Sequence, residues 1–105
     1  MDDRDFLEQL KTEFIDNLQF DIGSCEELLL KYEKDGSEQH ITDLLRVMHS
    51  MKGSAHAVEM HDIAAVLHEL ESHAIQHKTQ KNPRTEFVSQ ILRGMDQIKN
   101  KAAAA

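Results

Sequence analysis

The stretch of this chain best equipped for chemistry is Arg46-Val47-Met48-His49-Ser50-Met51-Lys52-Gly53-Ser54-Ala55. At about 100° per residue in a helix, His49, Lys52, Gly53 and His56 fall in one arc beside an apolar stripe formed by Ile41, Leu44, Leu45, Met48, Met51, Ala55 and Val58. A neutral imidazole keeps one ring nitrogen free as a nucleophile. Such a nitrogen can attack a phosphoryl group, and Lys52, one turn along, puts positive charge beside the transferring oxygens. A glycine in a helix interior costs about 1 kcal/mol relative to alanine, so Gly53 asks for a reason. Without a side chain there, another protein surface can come close to the imidazole.

The 7 histidines, all between His40 and His77, raise a second kind of chemistry. Glu69, His73 and His77 are spaced to line one flank of a helix, and two histidines one turn apart can chelate zinc or nickel. The motif support is thin, because the chain holds no HExxH and no Glu-x-x-His of the di-iron kind. The rival to phosphoryl chemistry is therefore a non-catalytic helical module that binds metal through His68, His73 and His77, or a partner helix through its grooves. Cys25 is a lone cysteine, which excludes an intramolecular disulfide and reads as a small core hydrophobe. No glycine-rich phosphate loop, Walker-type motif or kinase ATP box occurs, so ATP binding is not expected of this chain.

The elements that must position these residues are helical. With 4 Gly, 1 Pro, 1 Tyr and no Trp, breakers and strand-favouring aromatics are scarce. Leu7, Leu10, Phe14, Leu18, Ile22, Cys25, Leu29 and Tyr32 mark one buried stripe from Asp3 to about Lys34, with a local bend allowed at Gly23-Ser24. Gly36 then stops the first helix and Ser37 caps a second, running from Glu38 to Val58. Asp62 caps a third that carries Ile63, Val66, Leu67, Leu70 and Ala74 to about His77. Lys78 to Asn82 reads as a polar connection, and Asn82-Pro83 as a cap with proline at the first helical position of a fourth helix carrying Phe87, Ile91, Met95 and Ile98. Short links make neighbours antiparallel, which gives an all-α, up-and-down four-helix bundle over residues 1–101, followed by an alanine tail at 102–105 that reads as a frayed end or a cloning remnant.

Charge and length narrow the partners. The 105 residues carry 19 acidic against 12 basic side chains, a net charge of -7, which excludes a cationic face for nucleic acid. No apolar run is long enough to span a membrane, and the start Met1-Asp2-Asp3-Arg4-Asp5 is acidic where a signal peptide is basic and then apolar. One cytoplasmic, monomeric domain is the expectation.

The string His49-Ser50-Met51-Lys52-Gly53-Ser54-Ala55 resembles the His-x-x-Lys-Gly-(Ser/Ala/Gly)-Ala signature of histidine-containing phosphotransfer (HPt) domains. The resemblance extends in helix order and spacing from Phe6 to about Lys99. It implies a four-helix bundle with a phosphorylated histidine on the second helix. Further along, His68-Glu69-Leu70-Glu71 is similar to the His-x-x-Glu of the N-terminal phosphoacceptor domain of CheA-type chemotaxis kinases. Carried onto these positions, the resemblance implies that Glu71 binds Nδ1–H of His49 and leaves Nε2 as the nucleophile, with Lys52 and His68 beside it.

The same resemblance implies a phosphohistidine carrier with no cofactor of its own. The donor is a histidine kinase ATP-binding domain or another receiver, and the acceptor is an aspartate of a response-regulator receiver domain, which brings the Mg2+. Docking falls on the exposed part of the second helix at His49, Ser50, Lys52 and Gly53, with His56 at its edge, and on the adjoining flank of the first helix. The chain departs from the family in two places. Glu59 stands at the turn after the second helix, where a small residue, often glycine, is usual, and His56 has no general counterpart.

Overall fold

The computed structural model describes residues 3–80 and 82–105. Met1 and Asp2 of the acidic start, and Lys81 of the third connection, lie outside them. Four helices follow one another: α1 (Asp3–Asp35), α2 (Glu38–Ala57), α3 (His61–Gln80) and α4 (Arg84–Ala104). Each packs on its chain neighbours, and α4 closes back on α1, so the expected antiparallel four-helix bundle is what the chain forms.

The core is the sum of the four stripes. Leu18, Ile22, Leu29, Ile41, Leu44, Met48, Met51, Ile63, Leu67, Ile91, Met95 and Ile98 are its largest fully buried side chains. Burying each is worth roughly 1.5 to 3 kcal/mol, which is where most of the helical order comes from. Cys25 is fully buried, and burial together with the nearby Asp21 and Glu26 carboxylates pushes its thiol up to about 12, leaving it inert. Gly94 is buried where a Cβ would run into the side chain of Leu70, so α4 lies close against α3 there.

The stripe on α1 is not buried along its whole length. Its first fully buried residue is Phe14, whereas Leu7 and Leu10 are half-buried and Phe6 is exposed. The cause is length. Thirty-three residues at about 1.5 Å each span the 50 Å long axis of the molecule, while α2, α3 and α4 cover about 30 Å. The first turns of α1 therefore extend past the ends of its partners. Helix α1 continues through Gly23-Ser24, where the Ser24 hydroxyl donates to the Phe20 carbonyl at 3.2 Å.

The helix ends differ from expectation in detail. Ser37 occupies the N-cap position, yet its side chain makes no capping bond; the turn is held by Gly36 at φ 70° and by Ser37 N–H donating to Asp35 Oδ1 at 2.9 Å. The hydrogen bond from the His40 imidazole, and then the Ser37 amide bond, hold the Asp35 carboxyl below its ordinary range. Helix α3 starts at His61, because the Met60 carbonyl already accepts from Ala64 N–H at 3.2 Å, so Asp62 lies inside the first turn rather than capping it. The same helix runs on to Gln80, absorbing most of the expected connection. Pro83, with ψ 133°, is itself the N-cap, and its carbonyl accepts the Phe87 amide at 3.1 Å. Helix α4 includes Ala102, which packs against the core, and continues to Ala104.

The turn between α2 and α3 keeps left-handed geometry without glycine. Glu59 sits at φ 61°, Met60 N–H donates to the Ala55 carbonyl at 2.8 Å and Glu59 N–H to the His56 carbonyl at 3.0 Å, the two bonds of a Schellman motif. A non-glycine residue thus occupies the left-handed position of the turn. Met60, buried on the far side of the turn, supplies its hydrophobic contact.

Candidate functional site

The flank where α2 meets α3 carries the residues singled out above. The Met48–Met51–Ala55 stripe faces the core and turns His49 and Lys52 toward α3. On α3 the buried run of Leu67, Leu70 and Ala74 brings Glu71 to the same seam. There the His49 Nδ1–H donates to Glu71 Oε1 at 3.3 Å, and Lys52 Nζ donates to Glu71 Oε2 at 2.6 Å. One carboxylate engages both groups, one oxygen each.

Exposure separates their roles. The His49 side chain is 77% exposed, whereas those of Lys52 and Glu71 are 20% and 11% exposed. A part-buried ion pair at 2.6 Å is screened far less than a surface pair, so it can serve as a fixed anchor beneath a solvent-facing ring. With Nδ1 engaged, Nε2 has no hydrogen bond among the described residues.

Gly53 is exposed, and a Cβ built there would meet nothing within 4 Å. No packing inside the chain requires glycine at this position. Ser50, His56 and Arg46 are exposed on the same helix. His68 is exposed and lines a hollow with Lys52, but its ring has no hydrogen bond among the described residues, so the structure does not bond it to the His49–Glu71–Lys52 cluster. Sequence reasoning did not find the other wall of the site. Thr42, Leu45, Arg46 and Ile75 line an open hollow of about 400 Å³ beside His49 and Glu71. The signal was present, since Thr42, Leu45 and Arg46 precede His49 by seven, four and three residues and Ile75 follows Glu71 by four.

A family model of the Hpt domain matches residues 9–101. The chain belongs to the Hpt domain family. Hpt domains carry out histidine phosphotransfer in phosphorelay signalling, where they interact with receiver and kinase domains. No curated protein and no solved structure matches the chain. Among the described residues of this Hpt domain, no helix is long and apolar enough to cross a membrane.

The histidines weighed as metal ligands on α3 are dispersed. His73 is half-buried and accepts from Gln90 Nε2 at 3.3 Å. His77 is not on a solvated flank: it is 3% exposed, its Nε2 lies 2.7 Å from the Tyr32 hydroxyl, and its ring stacks on Phe87 at 4.1 Å between centroids. Burial holds the His77 imidazole below its ordinary range. Its position three residues after Ala74 continues the buried stripe, which the sequence showed and the residue type obscured.

Proposed function

We propose that His49 is the phosphoacceptor of this Hpt domain and that Nε2 is its nucleophilic atom. The observation that carries the reading is the single Glu71 carboxylate shared by His49 Nδ1 and Lys52 Nζ. A carboxylate on Nδ1–H fixes the tautomer with its lone pair on Nε2. When that lone pair attacks phosphorus, the N–P bond forms, the P–O bond to the leaving group breaks, and the ring takes on imidazolium character. Glu71 offsets that charge at Nδ1, while Lys52 offers positive charge to the phosphoryl oxygens. In the second step an aspartate oxygen of a receiver domain attacks phosphorus, the N–P bond breaks, and its electron pair returns to Nε2.

The donor in this reading is a kinase ATP-binding domain or a second receiver, and the Mg2+ of the second step belongs to the receiver. Gly53, with Ser50 and His56 around it, gives the partner a close approach to the ring. The Glu71 arrangement supports a place in the CheA-type subfamily, as the phosphoacceptor domain of a larger kinase, over a free-standing relay protein.

The test is a phosphotransfer assay with a donor kinase and labelled ATP. His49→Gln, at a 77% exposed position, is expected to keep the helical signal and thermal transition of the parent and to take up no acid-labile phosphate. Uptake of label by that variant refutes the assignment.

A further inference from the structure

Outside the His49 cluster, the corner between α2 and α3 brings two other imidazoles together. His56 Nδ1 and His61 Nδ1 lie 3.0 Å apart, with ring centroids 5.2 Å apart and planes inclined at 43°. Both residues are exposed, one in the last turn of α2 and the other at the first residue of α3. The left-handed Glu59 turn holds them in place, because its two backbone bonds reverse the chain within the three residues between Ala57 and His61. Two ring nitrogens at this distance share a proton or share a cation.

We propose that His56 and His61 form a two-histidine chelating site for a divalent transition-metal ion. At a metal–nitrogen length of about 2.05 Å, a 3.0 Å separation subtends roughly 95° at the metal. That angle suits octahedral Ni2+ or tetragonal Cu2+ better than tetrahedral Zn2+. Ligation through both Nδ1 atoms leaves each ring with its proton on Nε2, so a ring protonated at Nδ1 in the free protein changes tautomer on binding. Among the described residues no group of three or more His, Cys, Asp and Glu gathers as a metal site, so water completes the coordination. His68 and Glu69 line the same open hollow, of about 400 Å³, and give those waters polar neighbours. Bound metal would tie the end of α2 to the start of α3. This inference stands apart from the phosphotransfer reading.

The test is calorimetric titration of the full chain with NiCl2 and with ZnCl2, alongside His56→Ala, His61→Ala and His73→Ala. Saturable one-to-one Ni2+ binding is expected, tighter than Zn2+ binding, lost in the first two variants and kept in the third. Thermal unfolding of the metal-free variants checks that truncating these rings leaves the bundle folded, and added Ni2+ is expected to raise the transition of the parent and of His73→Ala but not of His56→Ala or His61→Ala. Absence of saturable Ni2+ binding, or binding that survives His56→Ala and His61→Ala, overturns the proposal.

Discussion

Glu59→Gly is expected to make the bundle more stable. The residue sits at φ 61°, a region that costs an L side chain roughly 1 to 2 kcal/mol relative to its right-handed counterpart. Glycine escapes that cost but brings more freedom to the unfolded chain, which takes back roughly 0.4 to 1 kcal/mol. The net gain is about 0.5 to 1 kcal/mol, or roughly 2 to 5 °C in Tm for a domain of this size. The turn's hydrogen bonds come from the backbone, so the substitution keeps them. Removing the carboxylate is close to neutral, because Glu59 stands two residues past the C-terminus of α2, where an anion is disfavoured, and two before the N-terminus of α3, where it is favoured, each by roughly 0.3 to 1 kcal/mol. Glu59→Ala removes the same charge and retains the strained backbone, so the comparison of Gly with Ala isolates the conformational effect. Reversible thermal unfolding followed by far-UV circular dichroism measures it. A glycine variant no more stable than the alanine variant refutes the reasoning.

Gly53→Arg is expected to fold normally, since the position opens onto free space, and to lose transfer to a receiver by more than tenfold if the partner approaches there; undiminished transfer places the docking surface elsewhere. Gly94→Ala forces a methyl group against the buried Leu70, an overpacking cost of roughly 1 to 3 kcal/mol against about 1 kcal/mol gained in helix propensity, so its urea midpoint is expected to fall. His77 gives the bundle an acid-sensitive element. Its folded pKa lies below the unfolded value near 6.5, so the unfolded chain binds the extra proton and stability falls as pH drops below about 6.5, by at most about 1.4 kcal/mol per pH unit for one site. The urea midpoint of His77→Leu is expected to fall less than the parent's between pH 7.5 and 5.5, and an equal fall in both contradicts this account.

The bundle was legible because it follows from helical phase, whereas the meeting of His49 with Glu71 was legible only through the resemblance carried by His68-Glu69-Leu70-Glu71. Residues 48, 51 and 55 fix which side of α2 is core, and residues 67, 70 and 74 do the same for α3. What phase does not specify is where a stripe finds a partner. Leu7 and Leu10 repeat the pattern of Phe14 and Leu18, but the other helices end before reaching them. The residues whose carbonyls accept the first amide bonds of α3 and α4 are Met60 and Pro83, so Asp62 and Asn82 fall off the cap positions that their side chains suggest, and Ser37 holds the cap position of α2 without a side-chain bond. The burial of His77 was hidden by its polarity, which points to a metal ligand, although its register continues the buried stripe of Leu70 and Ala74. The closeness of His56 and His61 depends on one left-handed residue, and nothing in the sequence between them marks Glu59 as such.

Helix α4 places no atom in the His49 cluster, yet the close fit of Gly94 on Leu70 sets how deeply α3 rides in the bundle, and Glu71 is the next residue along. The His49–Glu71 bond, at 3.3 Å, has no room to lengthen, so an outward shift of α3 by even one methyl group would pull the carboxylate away from the imidazole, while the flexible Lys52 side chain could follow it. Anyone transplanting the His49–Lys52–Glu71 trio onto another scaffold would have to carry over the spacing of a third and fourth helix as well as the two that bear the trio.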